Sequence, residues 1–478
     1  MMNVAHAVDA ARRSGLEHST REQRALALET IAASLDGHRT ELVPIAHRET
    51  HLSEARLDGE ITRTAAQLRF FAGVVREGSY LEASIDSADP TTVPPRPELR
   101  RILRPLGPVA VFTASNFPFA FSVLGNDTAS ALAAGCPVVV KAHPGHPELS
   151  RRCIEIGRAA LLEAGLDSSA LTLVEGFEAG RELLEHVEIR AAGFTGSEAG
   201  GRALYDIAVN RPAPIPFYGE LGSLNPVVLT VAAATQRGAD IAAGLVASFT
   251  RDAGQYCTKP GVVFAPAVGR FADAVAEYLP GAAAGALLTE GMQSRFAALA
   301  AELATDDAVT VRSGADSDTT PLVLELPADA LLARPEHFLR ECFGPLTLIV
   351  NYRDEAQLFA ALTLCEGSLT GTIHAEPDED VSGLTAHLAE RAGRVLFNGW
   401  PTGVAIAWSQ HHGGPWPATT ATVHTSVGAT AIRRWLTPLT YQDAPHSVLP
   451  SELLDGPVGI PRRIDGLLQL AGAELSRG

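Results

Sequence analysis

Val109-Ala110-Val111-Phe112, then the loop Thr113-Ala114-Ser115-Asn116-Phe117-Pro118, then Pro137-Val138-Val139-Val140-Lys141 is the stretch on which the fold turns. An apolar run of four or five residues without polar alternation is a strand buried on both faces, the mark of a parallel sheet. Between the two runs, Phe119 to Ala134 reads as a helix ended by Gly135. Pro147 to Ala164 is a second helix, closed by Gly165, and Leu171-Thr172-Leu173-Val174 a third strand. Gly180 to His186 reads as a short helix and Ala191-Ala192-Gly193-Phe194 as a fourth strand. Strands and helices alternating at this spacing build βαβ units. Ligands of such sheets sit at the carboxyl ends of the strands, which places Asn116, Lys141 and Thr195-Gly196-Ser197 on one rim.

Upstream, residues 5 to 80 read as helices, with Arg21 to Leu35, Leu42 to Ala55 and Ile61 to Val75 carrying apolar residues at helical spacing. They are read as a packing layer in which nothing carries chemistry. Residues 83 to 103 are broken by Asp89-Pro90, Pro94-Pro95 and Pro97, and Glu98 to Leu106 is an extended arm. Downstream, residues 226 to 415 repeat the α/β alternation: helices over Asp240 to Phe249, Phe271 to Tyr278 and Met292 to Leu303, strands over Val262 to Ala265, Thr347 to Asn351 and Val395 to Asn398. The loop Gly399 to Pro417, rich in Gly, Pro, Trp and His, reads as a pocket wall.

The 478 residues exceed one core, so more than one domain is expected. A net charge of −17 without a basic stripe argues against nucleic acid as a partner. Cysteines 136, 153, 257, 342 and 365 are odd in number and form no CxxC, which points to a reduced, cytoplasmic chain without a zinc site. His143 and His146 are spaced as metal ligands are, but prolines follow both and no third ligand is evident, so no metal is expected. Met1 to Gly15 has no apolar core of signal-peptide length, and no run of 18 apolar residues occurs, so neither export nor a membrane is expected.

Cys257 stands in the Gly-flanked turn Ala253-Gly254-Gln255-Tyr256-Cys257-Thr258-Lys259-Pro260-Gly261. A cysteine in a tight turn at a helix start has its thiolate favoured by backbone N–H groups, and that is the expectation here. Glu220, between Gly219 and Leu221-Gly222, is expected in apolar surroundings that raise its pKa. Phe194-Thr195-Gly196-Ser197-Glu198 reads as strand, glycine turn and helix start, whose backbone donors suit a pyrophosphate.

Ser115-Asn116-Phe117-Pro118, Phe194-Thr195-Gly196-Ser197, Glu220-Leu221-Gly222-Ser223-Leu224-Asn225-Pro226, the Cys257 turn and Glu341-Cys342-Phe343-Gly344-Pro345 occur in this order, and together they resemble the aldehyde dehydrogenase superfamily from about residue 20 to 445. The resemblance implies a Rossmann-like cofactor domain (1–82 and 104–225), an α/β catalytic domain (226–415), a small β oligomerisation arm (83–103 and 416–445) and a C-terminal tail (446–478). It implies NAD(P)-dependent oxidation of an aldehyde to a carboxylate, with Cys257 as nucleophile, Glu220 as base for water, and Asn116 with the Cys257 N–H as oxyanion donors. It places Lys141 at the adenosine ribose, Glu341 at the nicotinamide ribose hydroxyls, Phe343 near the nicotinamide and Ser197 near the pyrophosphate, with Thr195, Gly196, Leu221 and Gly222 also binding the cofactor. It implies a homo-oligomer, dimer or tetramer. Where NAD-preferring members often carry a Glu three residues after this Lys, Pro144 stands here, so a 2′-phosphate is not repelled and NADP is favoured over NAD.

Ala110 to Pro147, Gly254 to Gly261 and Arg394 to Gln442 are most similar to the 2-oxoglutarate semialdehyde (2,5-dioxopentanoate) dehydrogenases, with NADP-dependent long-chain and medium-chain aliphatic aldehyde dehydrogenases as the alternative. Arg251 could meet a substrate carboxylate or simply pair with Asp252, whereas Phe117, Phe121, Leu124 and Trp408 could line an apolar tunnel. Two further readings stand beside these. A CoA-acylating enzyme would dispense with the base, and a silent binding protein on the same fold would lack one of Cys257, Glu220 and Asn116; all three are present.

Overall fold

The computed structural model describes residues 3 to 471. Three sheets organise the chain. The first has five parallel strands in the spatial order Leu171–Val174, Val138–Lys141, Val109–Phe112, Ala191–Thr195 and Phe217–Glu220. Val109–Phe112 and Val138–Lys141 are buried along their whole length, as their unbroken apolar runs require. The carboxyl ends of these strands carry Lys141, Thr195 and Glu220, with Thr195 paired opposite Glu220.

The helix expected over Phe119 to Ala134 forms only over Asn126–Ala134. Phe119 to Leu124 make turns instead, because the Phe119 and Ala120 amides donate to the Glu60 carboxylate at 2.9 and 2.8 Å. Gly125 permits the tight return: a Cβ there would lie 2.5 Å from the Ala120 carbonyl oxygen.

The second sheet has seven strands in the order Thr310–Ser313, Leu322–Pro327, Leu346–Tyr352, Val262–Pro266, Val227–Leu229, Ser368–His374 and Ala392–Phe397. All pairs are parallel except the one made by the edge strand Thr310–Ser313. Ser368–His374 is fully buried although it reads Ser-Leu-Thr-Gly-Thr-Ile-His, so hydropathy alone does not mark it as a central strand. The helix read over Asp240 to Phe249 begins earlier, at Val231, where Thr230 caps it.

The third sheet joins Leu436–Gln442, Leu99–Pro105, Ser84–Asp86, Arg462–Ile464 and Leu467–Gln469. Residues 446–478, expected as a tail, thus supply two of its strands within the described part, and Leu453 and Ile460 are buried in the main core. Positions 472–478 of that segment lie outside the described residues. Among the described residues no helix is long and apolar enough to cross a membrane.

Candidate active site

Cys257 does not stand at a helix start. The helix Val231–Phe249 ends just before it, and a 3₁₀ turn, Arg251–Gly254, intervenes. Asp252, Ala253 and Gly254 take φ of +46°, +57° and +68°, three left-handed residues in a row. Ala253 has no side-chain hydrogen bond to offset such a conformation, which costs about 1–2 kcal/mol. Tertiary contacts hold the turn. Asp252 Oδ2 accepts from Arg56 Nε at 2.8 Å and from the Tyr256 hydroxyl at 2.7 Å. Gly254 lies against the Gly344 carbonyl, where a Cβ would come within 2.3 Å. The Asn225 side-chain amide donates to the Cys257 and Lys259 carbonyls at 2.8 and 2.9 Å and fixes the turn from beyond the cysteine.

The expected bias towards thiolate is reversed. Burial, then the Glu220 carboxylate, then Glu341 push the Cys257 thiol well above its ordinary pKa. The expectation for Glu220 is reversed as well. Burial works to raise its carboxyl, but His412 and the Ser426 hydroxyl outweigh burial and hold it below the ordinary value. His412 Nε2 is 2.9 Å from Glu220 Oε1, and Ser426 Oγ donates to Oε2 at 2.5 Å. His412 Nε2 also lies 3.5 Å from Cys257 Sγ, and one atom each of Glu220, Cys257 and His412 lies within 4.8 Å of the others. An ionised Glu220 only accepts hydrogen bonds, so Nε2 carries the imidazole proton, and the buried Nδ1 is left without a partner.

Asn116, on the loop after Val109–Phe112, is buried and donates its side-chain amide to the Gln255 carbonyl at 2.8 Å. It is thereby fixed to the Cys257 turn. Phe117 and Phe121, 5.5 Å apart edge to face, line a pocket of about 390 Å³ that ends at Cys257 and His412. Arg251 is exposed at the same pocket and lies over the Tyr256 ring at 5.7 Å. It does not pair with Asp252, whose partner is Arg56. Leu124 and Trp408 are not part of the pocket wall: Leu124 is buried in the main core, and Trp408 is 51% exposed and packs edge-on against Phe70.

The helix Glu54–Glu77, read as inert packing, lines this pocket with Arg56, Glu60 and Arg63, a spacing that puts all three on one face. His412 and Ser426 were also passed over. His412 lies in the Gly- and His-rich loop 399–417, whose composition was the available signal, and Ser426 lies in the segment assigned to the arm.

Leu221 donates its amide to the Ala418 carbonyl at 2.8 Å. The Glu341 carboxylate accepts from the Ser223 amide at 3.2 Å and lies so close to Gly222 that a Cβ there would be 2.5 Å from Oε2. Phe343 is half-buried in the same loop as Glu341. Ser197 caps the helix Glu198–Asn210, accepting from the Gly200 amide at 3.3 Å, directly after Thr195 and Gly196. Both His146 nitrogens have partners, Ala114 O and Ser150 Oγ, and His143 Nδ1 takes the Gly145 amide.

Comparison with known proteins bears on this arrangement. The model of the aldehyde dehydrogenase family matches residues 1–416. The chain belongs to that family. An alpha-ketoglutaric semialdehyde dehydrogenase 2 from Azospirillum brasilense is 45% identical over 457 residues, 93% of this chain and 87% of that protein. An alpha-ketoglutaric semialdehyde dehydrogenase from Acinetobacter baylyi is 40% identical, covering 95% and 88%. Among solved structures, Bradyrhizobium japonicum proline utilization A matches the fold with a TM-score of 0.78 at 24% identity, over 92% of this chain but 45% of that one. An E. coli NADP-dependent enzyme matches with a TM-score of 0.77 at 23% identity, over 92% and 89%.

Aldehyde dehydrogenases use NAD(P), and the rim of the five-stranded sheet fits such a group. Lys141 is 9% exposed at a strand end, has no carboxylate partner among the described residues, and lies 5.2 Å from the Phe177 ring. Burial lowers its pKa, so an anion or a hydroxyl cluster brought to it would restore what water no longer supplies. The capped start of Glu198–Asn210 presents its backbone N–H groups at the same rim, directly after Thr195.

Proposed function

We propose that this aldehyde dehydrogenase oxidises 2-oxoglutarate semialdehyde to 2-oxoglutarate, using NADP in preference to NAD. The observation that carries the substrate is the 45% identity to the Azospirillum protein over 93% of the chain. Pro144 near Lys141, where a carboxylate would repel a 2′-phosphate, favours NADP.

Cys257 Sγ is the nucleophile. The thiol proton passes out through the pocket to solvent, and the His412 Nε2–H, 3.5 Å from Sγ, steadies the thiolate as it forms. Sγ adds to the aldehyde carbon, and the oxygen is met by the Cys257 backbone N–H and by the Asn116 amide hydrogen not given to Gln255. NAD(P)⁺, when bound, would supply the hydride acceptor; Lys141 and Glu341 would hold its two riboses and Ser197 would lie near the pyrophosphate. The thioester left on Sγ is hydrolysed by water whose proton Glu220 accepts. A Glu220 base favours hydrolysis over acyl transfer to CoA. The edge strand Leu467–Gln469 exposes Leu467 and Leu468, which supports the third sheet as a contact between copies of the chain.

The test is cofactor reduction with 2-oxoglutarate semialdehyde and with pentanal, each with NAD and with NADP. A kcat/KM for the oxo-acid aldehyde about 100-fold or more above that for pentanal is expected. A preference for pentanal would move the assignment to aliphatic aldehydes, with Phe117 and Phe121 as the tunnel.

His412→Ala is expected to lower kcat/KM about 100-fold at neutral pH. It also removes a group that holds Glu220 down, so burial then raises that carboxyl. The base works as carboxylate above its pKa, so the acid limb of the pH–rate profile should move to higher pH. His412→Gln, which keeps an N–H, should recover part of the loss. An unmoved profile would mean that His412 only packs.

A further inference from the structure

The pocket that ends at Cys257 has three arginines in its wall, and only one of them is both half-buried and without a carboxylate partner. Arg56 is consumed: its guanidinium bonds Glu60, Asp252 and the Asn116 carbonyl. Glu60 is consumed too, its other oxygen taking the Phe119 and Ala120 amides. Arg251 is exposed and points its guanidinium over Tyr256. Arg63 differs from both. One turn beyond Glu60 on the helix Glu54–Glu77, it donates Nη2 to the Val404 carbonyl at 3.2 Å and lies 5.5 Å from the Phe121 ring. No carboxylate among the described residues pairs with it, and its Nη1 is buried without any hydrogen-bond partner. Buried guanidinium hydrogens are rarely left without an acceptor, since water cannot serve them. Burial lowers the pKa of Arg63, and Glu60 opposes this only through space, its carboxylate being bonded to Arg56; arginine remains charged in proteins, so a cation stands in this wall without a hydrogen-bonded carboxylate.

We infer that Arg63 binds the carboxylate of the aldehyde substrate and is the residue that selects an oxo-acid aldehyde over a neutral one. This rests on the substrate reading above. The Val404 carbonyl and the Phe121 ring fix the guanidinium plane in the wall of the pocket that Arg63 lines. A carboxylate held there puts the far end of a five-carbon chain towards Sγ. The apolar rings of Phe117 and Phe121 flank the carbons between.

The experiment compares the ratio of kcat/KM for 2-oxoglutarate semialdehyde to that for pentanal in the wild type, Arg63→Met, Arg63→Lys and Arg251→Gln, with melting temperature as the check on folding. Arg63→Met should lower the ratio about 100-fold, mainly through KM for the oxo-acid. Arg63→Lys should recover part of it, because the charge returns without the fork. Inhibition by 2-oxoglutarate should weaken in parallel in Arg63→Met. A high wild-type ratio that Arg63→Met leaves in place would overturn the inference alone, as would a ratio that falls in Arg251→Gln instead. A parallel loss on both aldehydes would make Arg63 structural and also overturn it. A wild-type ratio near one would overturn the substrate reading, and this inference with it.

Discussion

Cys257→Ala is expected to abolish aldehyde oxidation, with kcat lower by about four orders of magnitude or more, while NAD(P) binding followed by fluorescence titration changes little. The nucleophile has no understudy. Cys136, Cys153 and Cys365 are buried with thiols pushed to about 12, and Cys342 to about 11, each chiefly by burial. None of these four is among the residues lining the pocket that ends at Cys257. Alkylation should therefore add one group to the native wild type and none to the variant, read by intact mass. The reaction with iodoacetamide should also be slower at neutral pH than that of a free thiol, because burial and two carboxylates disfavour the thiolate in the resting site. Residual oxidation in Cys257→Ala above one part in a thousand would remove Cys257 from the chemistry.

That resting thiol shows where the sequence could be read and where it could not. Valine-rich runs and their spacing announce a parallel sheet, because strands buried on both faces have no other composition open to them. Motif order locates Cys257, Glu220 and Asn116. The ionisation of the first two is set by groups far away in the chain: His412 lies 192 positions from Glu220 and Ser426 lies 206. Local turn chemistry therefore gave the wrong sign for both. The helix Glu54–Glu77 shows the same limit. Its apolar periodicity is real and buries Leu57, Ile61 and Leu68, but the neighbouring stripe, Arg56, Glu60 and Arg63, looks like any solvated helix face until the pocket is folded against it. The start of the helix Asn126–Ala134 was misplaced for a related reason, since the turns before it are held by Glu60, far upstream.

Glu220→Gln is expected to lower steady-state turnover about 1,000-fold and yet to make Cys257 easier to ionise. The two effects have one origin. The Glu220 charge is the largest influence after burial that raises the thiol pKa, so removing it lowers that pKa; thiolate exists above the pKa, and the alkylation profile of Cys257 should move to lower pH. The amide keeps an acceptor for His412 Nε2 and a neighbour for Ser426, so the fold is spared the unpartnered polar groups that Glu220→Ala would leave. What the amide cannot do is accept a proton from water. The thioester should then persist: a burst of reduced cofactor, close to one per active site, followed by near arrest, with the acyl group retained on Cys257 in the intact mass. If the burst is absent while the alkylation profile still moves down, Glu220 acts before the thioester forms and not in its hydrolysis. If turnover is normal, the base is another group, and His412, 3.5 Å from Sγ, is the next to test.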